Sequence, residues 1–156
     1  MSTTSSTRTA PARLAGLVAI IAGVLLIVAG GTTWGMVRSQ LVAENITVAE
    51  DATMFAGRQV AGPLTAYAQA DIINHHALDM AGGKTYAELD REDPIRATVM
   101  NGSFLRASLF TSVIAFGVAA FAAGMGVLFI LVGYALRMLA GRTQPATTTN
   151  AIPALA

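Results

Sequence analysis

The chain has 156 residues, 54% of them hydrophobic and 12% charged, with ten Lys and Arg against nine Asp and Glu. Soluble domains carry roughly 25% charged residues, so the composition points away from an ordinary soluble enzyme. Cysteine is absent, which excludes a disulfide framework, an iron–sulfur cluster held by this chain and a thiol nucleophile.

Residues 1–13 are rich in Ser and Thr, hold Arg8 and Arg13, and contain no acid; this is the composition of a disordered tail. Residues 14–37 then run without a charge. A cleaved signal peptide also opens on a basic stretch and an apolar core. Here the apolar run exceeds a normal signal core, and Trp34 stands where an interfacial aromatic anchor belongs. The segment therefore reads as a first membrane span. A second uncharged run covers residues 107–136, between Arg106 and Arg137. Thirty residues of helix reach about 45 Å, enough for a ~30 Å hydrocarbon layer with tilt or overhang. Residues 137–156 form a second acid-free tail.

Both spans carry glycine at seven-residue spacing: Gly16, Gly23 and Gly30 in the first, Gly117 with Gly124 and Gly126 with Gly133 in the second. Small residues let helix backbones approach closely where lipid supplies no hydrophobic drive. These seven glycines are the expected packing faces, toward each other or toward another membrane protein.

All nine acids lie in the loop 38–106 beside six bases, a net −3, while each tail is +2. The positive-inside rule counts bases near the membrane. By that count Arg38, Arg91, Arg96 and Arg106 on the loop equal Arg8, Arg13, Arg137 and Arg142 on the tails. A loop this long translocates whatever its charge, whereas short tails obey the rule. The expected topology is an all-α hairpin of two transmembrane helices in the plasma membrane. Its termini are cytoplasmic and its small helical loop domain is extracytoplasmic.

Within the loop, Thr47-Val48-Ala49-Glu50 has a capping-box pattern or is an extended lead-in. Gly62-Pro63 opens a helix that should end at Gly82-Gly83, packing through the row Leu64, Ala68, Ile72 and His76 with Tyr67 and Met80. Thr85-Tyr86-Ala87-Glu88 suggests a further short helix before Asp93-Pro94. Asn101-Gly102-Ser103 suggests a turn before the second span.

Candidate chemistry is sparse. His75 and His76 are the only histidines, and neighbours on a helix point about 100° apart, a poor clamp for one metal. Asp71, His75 and Asp79, at i, i+4 and i+8, share one helical face and are weak candidates for cation binding or titration near neutral pH. The spans hold no ionisable residue, which argues against an ion path. No phosphate-cradling loop, nucleophile elbow or basic run for nucleic acid is present. No catalytic residue and no cofactor is expected.

The runs at 62–78 (GPLTAYAQADIINHHAL), 82–93 (GGKTYAELDRED) and 104–117 (FLRASLFTSVIAFG) resemble a family of small two-span membrane proteins of actinobacteria. Its members often carry the label aromatic ring-opening dioxygenase, of the protocatechuate LigA type. The resemblance spans about Arg13 to Arg137 and implies an iron-dependent extradiol activity, but no catalytic residue. An extradiol site takes two histidines and a carboxylate on one face of the metal. A more distant likeness, in size and layout only, is to small accessory subunits of actinobacterial respiratory supercomplexes. The residues favour the second kind of role: a non-enzymatic accessory or interaction protein whose partners are the bilayer and another membrane protein or a second copy.

Overall fold

Long uncharged runs become long helices. The computed structural model describes residues 9–142; the tail residues 1–8 and 143–156 lie outside the described residues. Three helices make up the described chain: α1 Thr9–Ala43, α2 Pro63–Met80 and α3 Arg96–Arg142. No strand is found among the described residues beyond one isolated antiparallel bridge, Thr47 with Gln59. Helices α1 and α3 are both long and apolar enough to cross a membrane, and only 17% of the most apolar window of each is buried. A core helix of a soluble protein would be mostly buried, so these helices present apolar faces that the chain itself leaves uncovered.

Both long helices outrun their uncharged segments. Residues 9–13 and 137–142, expected in disordered tails, are helical. In the same stretch the Arg13 guanidinium (Nη2) donates to the Ala140 carbonyl across 3.4 Å. At its other end α3 begins at Arg96, so the turn expected at Asn101-Gly102-Ser103 is continuous helix instead. Two contacts explain the correction. At Gly102 helix α3 runs beside α2, with Ala77 Cβ and Ile73 Cγ2 at 3.5 Å and 3.8 Å from where a Cβ would stand, an ordinary contact distance, and this packing favours continuous helix. The Ser103 hydroxyl donates back to the Val99 carbonyl at 2.9 Å rather than capping a new start.

The described chain divides into two compact units, one of residues 9–25 and 125–142 and one of 26–124. The first is built from the beginning of α1 and the end of α3. The second holds the rest of both helices, α2 and the connecting segments. Its core gathers Val48 and Val60, at most 1% exposed, with Leu41, Ala66, Ala70, Leu109 and Phe116. Segment 46–60 doubles back on itself: Val48 N–H donates to Arg58 O at 2.9 Å, Gly57 N–H to Val48 O at 2.9 Å and Val60 N–H to Ile46 O at 2.8 Å. This ladder replaces the helix start suggested for Thr47–Glu50.

Helix α2 starts at Pro63 behind Gly62 and stops as its glycines require. Gly82 and Gly83 have φ of 61° and 85°. Gly83 N–H reaches the Leu78 carbonyl at 2.7 Å, and Gly82 N–H the Asp79 carbonyl at 3.3 Å, the paired bonds of a Schellman ending. The buried face is the expected one only in part. Ala68 of the expected row is buried, together with Ala66, Ala70 and Ala77, whereas Leu64, Tyr67 and Met80 are 66%, 44% and 53% exposed. An alanine row lets α2 lie close to its neighbours, and the larger side chains fall on the outer side.

The expected short helix at Thr85–Glu88 is only a turn. Its Glu88 carboxylate does accept from Thr85 N–H at 2.8 Å and from the Thr85 hydroxyl at 2.7 Å. Arg96 then holds this segment: its guanidinium lies 4.1 Å from the centre of the Tyr86 ring and donates to the Tyr86 and Leu89 carbonyls.

Candidate functional site

Two places in the structure carry candidate function, a glycine seam and a histidine-lined cavity. In the first unit, a Cβ built on Gly16 would lie 2.7 Å from the Gly133 carbonyl oxygen, and one on Gly133 would lie 2.5 Å from that of Gly16. A Cβ on Gly23 would meet the Gly126 carbonyl at 2.5 Å and Ile130 Cγ1 at 2.8 Å. Here α1 and α3 are in backbone contact through their glycines. The seven-residue spacing keeps such a seam facing its partner helix along the length. In the second unit Gly30 repeats the pattern against α3, where a Cβ would lie 2.6 Å from the Ala119 carbonyl, and the Trp34 and Phe116 rings meet edge to face at 4.7 Å. Gly117 and Gly124 differ. Nothing lies within 4 Å of a Cβ at either, so the chain's own helix pair does not use them.

The cavity belongs to the second unit. It encloses about 190 Å³ and is walled by Asp71, His75, His76 and Asp79 of α2 together with Asp51 and Met54. Its position follows from α2's period: residues at i, i+4 and i+8 stack on one face, which the buried Ala68 shares and which lies opposite Ala66, Ala70 and Ala77. His75 Nδ1 turns back to its own helix, 3.1 Å from the Asp71 carbonyl and 3.8 Å from its carboxylate. His76 points elsewhere, its Nε2 donating to Asp51 Oδ2 at 2.7 Å. That bond holds the Asp51 carboxyl below the ordinary carboxylate range, because donation to the ionised form favours it. Glu88 is lowered for a like reason, by the backbone N–H and then the hydroxyl of Thr85.

Asp51 is the residue that sequence reasoning missed. It sits 25 positions before His76, outside any helical period, and only the folding back of segment 46–60 places it there. Asp71, His75 and Asp79 share the cavity wall, yet among the described residues no group of three or more His, Asp or Glu is placed to hold a metal ion. The same observation tests the iron that the family resemblance implies. With His75 bonded to its own helix and His76 to Asp51, the two rings do not offer adjoining positions to one ion, and the residues present do not fit it. The cavity also falls short of the ~300 Å³ that small-molecule sites usually occupy.

Comparison with models of protein families, with curated proteins and with solved structures finds no match.

Proposed function

We propose that this chain is a non-enzymatic accessory subunit of a larger complex in the plasma membrane, a respiratory complex being one candidate. In this reading α1 and α3 span the bilayer, both tails are cytoplasmic, and the loop 38–106 is exposed outside. The observation that carries it is the uncovered apolar surface of two helices whose most apolar windows are only 17% buried. Lipid covers such surface, and Gly117 and Gly124, unspent within the chain, leave α3 a small-residue face for a neighbouring helix. The acid-free basic tails supply the orientation.

Affinity purification of the tagged chain from its native membrane tests the role: a membrane protein should co-purify in fixed ratio, and a solitary monomer overturns the reading. A reporter active only outside the cell should work when fused within residues 82–92 and fail after Arg142. The ring-opening dioxygenase reading predicts stoichiometric ferrous iron and oxygen uptake with catechol substrates. We expect neither from the purified chain.

A second reading, an extracytoplasmic cation or pH sensor, draws support in its pH form from the placing of three aspartates and both histidines around one cavity, while their spacing, which among the described residues is not that of a metal site, does not favour the cation form. Its check is whether divalent cations bind in moderate salt, which screens nonspecific attraction to exposed carboxylates.

A further inference from the structure

The second unit carries another groove of opposite chemistry. It encloses about 360 Å³ and is lined by Arg38 of α1, by Phe55 and Arg58 of the folded-back segment, and by Gly62, Pro63 and Thr65 where α2 begins. No acidic residue lines it, although the loop as a whole is net negative. Both guanidiniums are exposed, and among the described residues neither is in an ion pair. Arg38 Nη1 donates to the Ala61 carbonyl at 3.0 Å, and the Arg58 guanidinium stands 5.8 Å from the centre of the Phe55 ring. Phe55 itself has φ of 59°, a backbone region that aromatic residues rarely enter. Arg58 N–H bonds the Phe55 carbonyl at 3.0 Å, so the unusual turn and the arginine are coupled.

The place of Arg38 along α1 indicates the occupant. It is the first charge after the uncharged run 14–37, one turn beyond Trp34, so it falls where the hydrocarbon gives way to headgroups. We propose that this groove binds the phosphate of an anionic membrane phospholipid, with Arg38 and Arg58 as its two cationic contacts. Guanidinium forks match phosphate oxygens through paired, charge-assisted hydrogen bonds. The lining offers no carboxylate to receive a choline or ethanolamine cation, which favours a headgroup of net negative charge.

The proposal rests on the membrane reading above but not on a protein partner. The full chain is reconstituted in nanodiscs of phosphatidylcholine with phosphatidylglycerol, and lipid retained after gentle detergent release is counted by native mass spectrometry. Phosphatidylglycerol should be retained in preference to phosphatidylcholine. The paired substitution Arg38→Gln with Arg58→Gln should weaken that retention roughly tenfold or more, and Arg38→Lys with Arg58→Lys should keep much of it. Should the glutamine pair lose helicity by circular dichroism, the lysine pair is read against Arg13→Gln with Arg137→Gln, a change of equal charge in the other unit. Retention unaffected by the glutamine pair overturns the site, as does loss in the tail variant equal to that in the groove variants. Equal retention of both lipids, or binding of inorganic phosphate without lipid preference, overturns the lipid assignment. Carbonate extraction separates a chain that fails to insert, which would sink the membrane reading, from one that inserts without a headgroup.

Discussion

The two compact units are held together by different physics. In the first, glycine meets backbone: Gly16 with Gly133 and Gly23 with Gly126, at distances that leave no room for a Cβ. In the proposed membrane setting, apolar side chains there would gain little by leaving lipid, so close approach and dispersion would hold the helices. In the second, Val48, Val60, Leu109 and Phe116 are buried among alanines, and polar groups clasp the edges: Gln69 Oε1 accepts from Ala49 N–H at 3.0 Å, and His76 donates to Asp51. That is the arrangement water favours, apolar area inside and hydrogen bonds closing the rim. One chain thus uses small residues as the contact itself, throughout the first unit and at Gly30 of the second, and as room for α2 in the second.

The largest expected effect tests the first half of this contrast. Gly23→Leu drives a side chain against the Gly126 carbonyl and Ile130, and backbone cannot yield as a flexible side chain can. Overpacking of this kind costs about 3 kcal/mol, to be read as a lowered unfolding midpoint in mild detergent. Gly124→Leu, equally drastic by sequence, should leave the isolated chain within about 0.5 kcal/mol and weaken only a complex with a partner. Equal behaviour of the two variants would mean that the seam is compositional.

A smaller pair of effects tests the second unit. Val60→Ala removes fully buried apolar area and should cost about 2 kcal/mol. Leu64→Ala, a larger deletion at an exposed site, should change stability by less than about 0.5 kcal/mol. Amide exchange in residues 46–80 reads both. A costlier Leu64→Ala would show that Leu64 belongs to the packing face with the buried Ala68 after all.

What was legible from sequence depended on the range over which each signal acts. The long helices were written in uncharged runs, and both ends of α2 in Gly62-Pro63 and Gly82-Gly83, because backbone conformation at those residues is a local matter. The glycine period of α1 was legible too, but not which glycines of α3 would answer it: Gly126, Gly133 and Gly124 look alike until register is set by the whole helix pair. The face of α2 is legible in part: the i+4 row holds at Ala68, while Leu64, Tyr67 and Met80 lie outward because an alanine row serves close approach better. Asn101-Gly102-Ser103 has a turn's composition, and only the contact of Gly102 with Ala77 and Ile73 shows why helix prevails. Asp51 carried no local signal at all. The basic groove is of the same kind: Arg38 and Arg58 are twenty positions apart and line one groove only through the folded-back segment.

The smallest predicted effect concerns the rim of the second unit. The Asp51 carboxyl titrates below its ordinary range because His76 donates to it, and the Glu88 carboxyl does so because Thr85 donates to it. A carboxyl whose folded-state pKa is depressed contributes stability that is present above its unfolded value, about 3.9 for Asp and 4.3 for Glu. That stability is lost as pH falls through the lower, folded value. The window therefore lies below about pH 4, and mild acidification above it should leave these two contributions untouched. Both carboxyls are solvent-exposed, so each contribution is screened and modest. Amide exchange in the segment 46–60 should quicken in that acid window as the Asp51 clasp is lost. In Asp51→Asn it should already be quicker at neutral pH and rise less steeply on acidification. Glu88→Gln should remove the acid dependence of residues 85–89 and leave that of 46–60 intact. If Asp51→Asn exchanges like the parent chain across the whole range, the bond to His76 does not hold the segment to α2, and burial of Val48 and Val60 alone accounts for the second unit.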